Sequence, residues 1–168
     1  MTRTLILTRH AKSSWKDPSL ADHDRPLNKR GRRAAPALGA WLAARGLRPD
    51  QVLCSSARRC RDTLAGIEAG MGATAPAEVT ADLYHVTAAQ ILRRLQRASG
   101  ATVLVLGHNP GIAACARQIA AAPPDHPRFA DYPTGATLVL RFEIDDWARA
   151  GWGMGAVVDF ITPRELTG

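Results

Sequence analysis

Three short apolar runs, Thr4–Thr8, Val52–Cys54 and Val103–Leu106, constrain this chain more than any other feature. They are rich in β-branched residues and apolar at successive positions. They therefore read as strands buried on both faces, the pattern of a sheet with helices on either side. A helical pattern follows each. Leu38, Trp41, Leu42 and Arg45 mark the first helix, closed by Gly46, with Trp41 on its apolar face. Cys60, Leu64, Ile67 and Met71 mark the second, closed by Gly72, and Ile112, Cys115, Ala116 and Ile119 mark the one after the third run. Between them, Thr87-x-x-Gln90 forms a capping box that opens a helix through Ile91, Leu92 and Leu95. Two late strands, Thr137–Glu143 and Ala156–Ile161, close the pattern. Strands alternating with helices imply an α/β fold around a mostly parallel sheet. With 168 residues, no repeat and no long linker, residues 1–168 are expected to form a single domain.

Composition narrows the function classes. The apolar run at the N-terminus is too short for a signal peptide, and no stretch approaches the ~20 apolar residues of a bilayer span. A cytoplasmic protein without membrane contact is the expectation. Cys54, Cys60 and Cys115 form no CxxC and sit among apolar neighbours, so they read as buried small hydrophobes. The net charge of +7 and pI near 10.2 favour an anionic partner. Yet the arginines are spread over several helices, and Arg30, Arg32, Arg33, Arg59, Arg61, Arg93, Arg94 and Arg97 read mostly as solvated faces. No nucleic-acid-binding motif accompanies them, and the aromatics do not interleave with basic residues.

In open α/β sheets, ligands bind just beyond the carboxyl ends of the strands. The residues there are Arg9-His10 after the first run, Ser55-Ser56-Ala57-Arg58 after the second, and Gly107-His108-Asn109-Pro110-Gly111 after the third. Two arginines and two histidines would converge at one sheet edge beside helix N-termini. This set suits phosphate. Arginine presents a planar fork of donors, a neutral imidazole can attack phosphorus, and a protonated one can neutralise its oxygens. No metal-ligand spacing accompanies them, so neither metal nor cofactor is expected.

The stretch Leu7-Thr8-Arg9-His10-Ala11 resembles the Arg-His-Gly signature of the histidine phosphatase superfamily, with alanine in the glycine slot. Ser55-Ser56-Ala57-Arg58 with Thr63 resembles its second-arginine motif, and Gly107-His108-Asn109-Pro110 its second-histidine motif. Asp24-Arg25-Pro26-Leu27-Asn28-x-x-Gly31, Leu83-Tyr84-His85 and Pro133-Thr134-Gly135-Ala136 extend the likeness over nearly the whole chain, nearest to the SixA-type phosphohistidine phosphatases. The resemblance implies a three-layer α/β/α sandwich like phosphoglycerate mutase and a metal-independent phosphatase with His10 as nucleophile. It makes Arg9, Arg58 and His108 the phosphate pocket, and it implies phosphohistidine of a protein, or a small phosphorylated molecule, as substrate. Alanine at position 11 fits provided its φ is negative. Where the family commonly carries a glutamate as proton donor, this chain has Asp82 and His85 nearby, as donors or merely as helix-capping residues. Arg25 is expected at the pocket edge as a substrate contact or a brace, and Asp22 and Asp24 at its mouth.

Two alternatives share some of these features. A mutase would use the same pocket but needs walls around a turning substrate, and the connections here read as short, leaving an open site suited to hydrolysis. A basic nucleic-acid-binding domain would explain only the charge. Gly151-x-Gly153-x-Gly155 precedes a strand, the wrong order for a dinucleotide loop.

Overall fold

Within each apolar run, alternate residues face opposite sides of one sheet, and both sides are covered. In the computed structural model, which describes residues 1–168, Ile6, Val52, Cys54, Leu104 and Leu106 pack into one core, with Leu38, Leu42, Cys60, Leu64 and Ile67. Leu5, Leu7, Leu53, Val103 and Val105 pack into another, with Ile91, Leu95, Ile112, Cys115 and Ile119. The first layer is α1 (Lys29–Ala44) and α2 (Arg58–Met71); the second is α3 (Ala88–Leu95) and α4 (Gly111–Ile119). A short α5 (Pro163–Thr167) rests against α1. The result is the expected three-layer α/β/α sandwich.

The sheet runs β3-β2-β4-β1-β5-β6. Its strands are β1 (Arg3–Arg9), β2 (Gln51–Ser55), β3 (Ala77–Thr80), β4 (Thr102–Gly107), β5 (Thr137–Phe142) and β6 (Ala156–Ile161). The four strands β3, β2, β4 and β1 are parallel, whereas β5 runs antiparallel to β1, and β6 antiparallel to β5. Because β4 inserts between β1 and β2, the carboxyl ends of the three apolar strands lie side by side. That placement makes a site from residues far apart in sequence.

The helix boundaries follow their chemistry. Gly46 and Gly72 both adopt the left-handed conformation that ends α1 and α2, and the capping box at Thr87 and Gln90 forms as read. Cys54, Cys60 and Cys115 are free and buried, and Trp41 is partly buried against the α1–α2 core. Arg59 and Arg94 depart from the solvated-face reading. Both are buried, Arg94 paired with Glu78 and Arg59 turned toward the carboxyl edge of the sheet. The connections are also less uniformly short than expected. Residues 10–28, between β1 and α1, fold over the carboxyl edge and contribute Ser13, Trp15, Asp22 and Arg25 to its walls. No helix is long and apolar enough to cross a membrane.

Candidate active site

His10 lies one residue past β1, its backbone N–H bonded to the Gly107 carbonyl at the end of β4. The residue is only 6% exposed. Nδ1 sits 2.7 Å from the Ala11 carbonyl, which can only accept, so Nδ1 carries the hydrogen. In the neutral ring Nε2 is then an unprotonated lone pair. Burial, with Arg59, Arg9 and Arg25 adding repulsion, pulls the pKa down to about 3 despite the Ala11 bond, so the ring is neutral at ordinary pH. Ala11 is not among the residues with positive φ, so alanine is tolerated in the glycine slot. Its N–H donates to Thr63 Oγ1 at 3.0 Å, and that hydroxyl donates to the Arg59 carbonyl, tying the backbone after His10 to α2.

His108 follows β4 and faces His10, with ring centroids 5.3 Å apart. Its Nε2 lies 2.8 Å from Ser55 Oγ, and its Nδ1 3.2 Å from the Arg59 guanidinium. A guanidinium can only donate, so Nδ1 accepts and Nε2 carries the hydrogen. Burial, then the charges of His10, Arg59 and His85, push its pKa well below the usual histidine value, and Asp22 only partly opposes this.

The arginine from the second motif is Arg59. Arg58 is exposed on the outer face of α2, where its Nε lies 3.6 Å from Asp62, and it does not line the pocket. The cause is helical phase. The buried stripe of α2 runs through Arg59, Cys60, Thr63, Leu64 and Ile67, and Arg58 lies on the other side. Arg59 is 3% exposed and donates to the Asp22 carbonyl at 2.8 Å, to Asp22 Oδ2 at 3.0 Å and toward His85 Nε2 at 3.1 Å. Arg9 lines the same pocket and donates to the Tyr132 carbonyl at 3.2 Å. The Nε atoms of both arginines are buried with no hydrogen-bond partner. Arg9 and Arg59, with Lys12 and Arg25, set four cations against the single carboxylate of Asp22 around one cavity of about 260 Å³. That balance of charge suits an oxyanion.

Asp22 holds the far wall. Burial raises its pKa, but hydrogen bonds from Tyr84 (2.6 Å), Arg59 and Arg25 outweigh that and keep the carboxyl well below its usual range. Arg25 is buried at the pocket wall with its nitrogens committed to Asp22, Ser13 Oγ and the Ser14 carbonyl, and its guanidinium lies 3.5 Å above the Trp15 ring. It braces the loop. Of the two candidate proton donors, His85 reaches the pocket and Asp82 does not: Asp82 is exposed in a turn where its N–H is capped by Thr80. His85 adopts φ 53°, an uncommon conformation for a residue with a side chain, and its Nε2 lies 3.1 Å from Arg59 and 3.3 Å from Asp22 Oδ2. A neutral His85 can accept from Arg59, and a protonated one can donate to Asp22. Gly111 allows this segment to approach, since a Cβ there would fall 2.1 Å from the Val86 carbonyl.

Arg9, His10, His108, Arg25 and His85 therefore meet as the sequence suggested; Arg58 and Asp82 stay outside. The sequence pattern did not single out Arg59 as a pocket group, nor Tyr84 as the hydroxyl that holds Asp22 at the pocket wall. No group of three or more histidine, cysteine, aspartate or glutamate side chains is arranged to hold a metal ion.

Comparison with known proteins agrees with this geometry. Residues 5–90 match the family model of the histidine phosphatase superfamily, branch 1. An uncharacterized Mycobacterium tuberculosis protein is 38% identical over 93% of this chain and 99% of its own length. A solved structure from Nakamurella multipartitia, provisionally assigned as the phosphohistidine phosphatase SixA, is 32% identical and superposes with a TM-score of 0.82 over 97% of both chains. The structure of the protein histidine phosphatase SixA in complex with tungstate, at 21% identity, shares the fold with a TM-score of 0.79 over 98% of this chain and 99% of that one. With its family-model match and a SixA-like fold over almost its full length, this chain belongs to the histidine phosphatase superfamily.

Proposed function

We propose that this protein is a phosphatase that transfers a phosphoryl group to His10 Nε2 and then to water, with phosphohistidine as the favoured substrate. The observation that carries the reading is the fixed tautomer of His10: Nδ1–H is held by the Ala11 carbonyl, leaving the Nε2 lone pair free in a cavity lined by Arg9 and Arg59.

In the first step the Nε2 lone pair forms a bond to phosphorus while the bond to the leaving group breaks. Arg9 and Arg59 supply donors to the phosphoryl oxygens, and His108, whose Nε2–H is held by Ser55, adds an Nδ1–H donor once it is protonated. His108, neutral among cations, gains a proton more readily once a phosphoryl dianion lies between it and His10. The phosphoryl–imidazole carries its charge on a ring still anchored through Nδ1–H. In the second step water attacks phosphorus, the P–Nε2 bond breaks and the electron pair returns to His10. The proton of the attacking water passes to His85 or to the departing phosphate.

The preference for phosphohistidine follows from the leaving group. An alkoxide is strongly basic and needs a good acid as its bond breaks. A histidine leaving group is protonated near neutral pH, with a conjugate acid of pKa roughly 6.5. The only candidate donor reaching this pocket is His85, half-exposed, where relatives commonly carry glutamate. The test compares kcat/KM for a phosphohistidine peptide, an aryl phosphate and an alkyl phosphate, each with excess chelator. The expected order is phosphohistidine, then aryl, then alkyl, unchanged by chelation and abolished in His10→Ala. Activity that returns only with a divalent ion, or equal rates on alkyl phosphates and phosphohistidine, would overturn the proposal.

A further inference from the structure

Beside the phosphate pocket, and sharing Lys12 and Thr134 with it, lies a second cavity of about 380 Å³. Five cations line it, Lys12, Arg30, Arg33, Arg128 and Arg164, and no aspartate or glutamate does. The fold brings these charges together from four places: the nucleophile loop, the first turns of α1, the segment before β5, and α5. Asn28 donates its backbone N–H to the Lys12 carbonyl, and Arg33 donates to the Thr167 carbonyl at 2.9 Å, so the walls are tied to each other. Arg128 pairs with Asp131, but Lys12, Arg30, Arg33 and Arg164 join none of the ion pairs of the fold.

Like charges gathered in a concavity repel one another, and an anion relieves that cost. The volume is that of a small-group site and suits a side chain better than a duplex backbone. Lys12 is two residues from His10, so their Cα atoms are at most about 7 Å apart. Because the cleft shares Lys12 and Thr134 with the phosphate pocket, an anion in it sits next to the phosphoryl group under attack. We infer that the cleft is a subsite for an acidic side chain flanking phosphohistidine in a substrate polypeptide. This rests on the phosphatase reading above and deepens it.

The test uses two phosphohistidine peptides, identical except that aspartates flank the phosphorylated residue in one and serines in the other. An aryl phosphate and a small bisphosphorylated compound complete the set. Arg30→Gln/Arg164→Gln is compared with wild type, since neither residue touches the phosphate pocket. Wild type is expected to favour the acidic peptide by roughly tenfold or more in kcat/KM, mainly through KM, with a steep loss on adding salt. The double variant should bring the two peptides close to parity and leave aryl phosphate turnover unchanged. Equal use of both peptides by a wild type that hydrolyses the aryl phosphate would overturn the subsite and leave the phosphatase standing. A dependence on Arg30 and Arg164 seen with the bisphosphorylated compound alone would overturn the polypeptide assignment. Inactivity towards every phosphorylated compound would overturn the phosphatase reading and the subsite with it.

Discussion

One step along an α-helix turns a side chain about 100° around the axis, and that rotation separates Arg58 from Arg59. Arg59 sits four residues before Thr63, whose hydroxyl both caps the Arg59 carbonyl and receives the Ala11 N–H. Arg58 sits four residues before Asp62, on the solvent side. Removing Arg59 takes away a preorganised charge and one of the partners of Asp22, so Arg59→Ala is expected to lose ~10²–10³ in kcat. Arg58→Ala should leave the rate nearly unchanged and cost no more than ~0.5 kcal/mol of stability, the scale of an exposed i,i+4 pair. Steady-state kinetics and urea denaturation of both variants check this, and a larger loss from Arg58→Ala would refute the assignment. The signal was present in the chain: Cys60, Leu64, Ile67 and Met71 set the phase of α2, and that phase places position 59 nearer the core than 58. A strand-end residue can be read by position alone, as Arg9 and His10 were. A residue inside the following helix also needs the helix's rotation.

Among the elements, α1 helps to hold the loop that carries His10. Asn28 accepts the Gly31 N–H through its side chain and gives its own N–H to the Lys12 carbonyl. Gly31 lets the helix lie against that same carbonyl, since a Cβ there would fall 2.1 Å from the Lys12 oxygen. Ordinarily Gly→Ala in a helix gains about 1 kcal/mol. Here the obstacle is backbone and cannot rotate away, so overpacking should win. Gly31→Ala is expected to destabilise by ~1–3 kcal/mol and to lower kcat by displacing the loop that carries His10. Unchanged stability and turnover would show that α1 does not position the loop. The strands with apolar residues on both faces and the capped helices were legible because burial writes a period into the sequence. Edge strand β3 was not: it is exposed along Ala77, Glu78 and Val79, so no apolar pattern marks it. Helix α5 escaped notice for its brevity, although Thr162 and Glu165 form its capping box.

Taken as a whole, the molecule concentrates positive charge around buried neutral imidazoles, and this makes its stability sensitive to acid. His10 and His108 both have folded pKa values depressed below the ordinary histidine value of 6.5, His10 to about 3. Above pH 6.5 both rings are neutral whether the chain is folded or not, and their contribution to stability is intact. Below it the unfolded chain takes up protons that the folded site resists, so stability falls as pH drops from about 6.5 towards 3. Asp22 has the same sign at lower pH: its folded carboxyl is held below the ordinary 3.8, so its contribution is present above that value and lost beneath it. The imidazoles therefore act first. Each is buried, and each should remove on the order of 1–3 kcal/mol by about pH 4.5. Urea denaturation at half-unit steps from pH 7.5 to 4.5 should show this decline, with a shallower slope in His10→Gln/His108→Gln, which cannot take up those protons. Inorganic phosphate should oppose the decline in wild type, because an oxyanion bound between Arg9 and Arg59 is tied to the folded state alone. A wild-type stability that stays level across this range, or a double variant with the same slope, would mean that the two rings are protonated in the folded protein near neutral pH, and that His10 is not held as a free nucleophile.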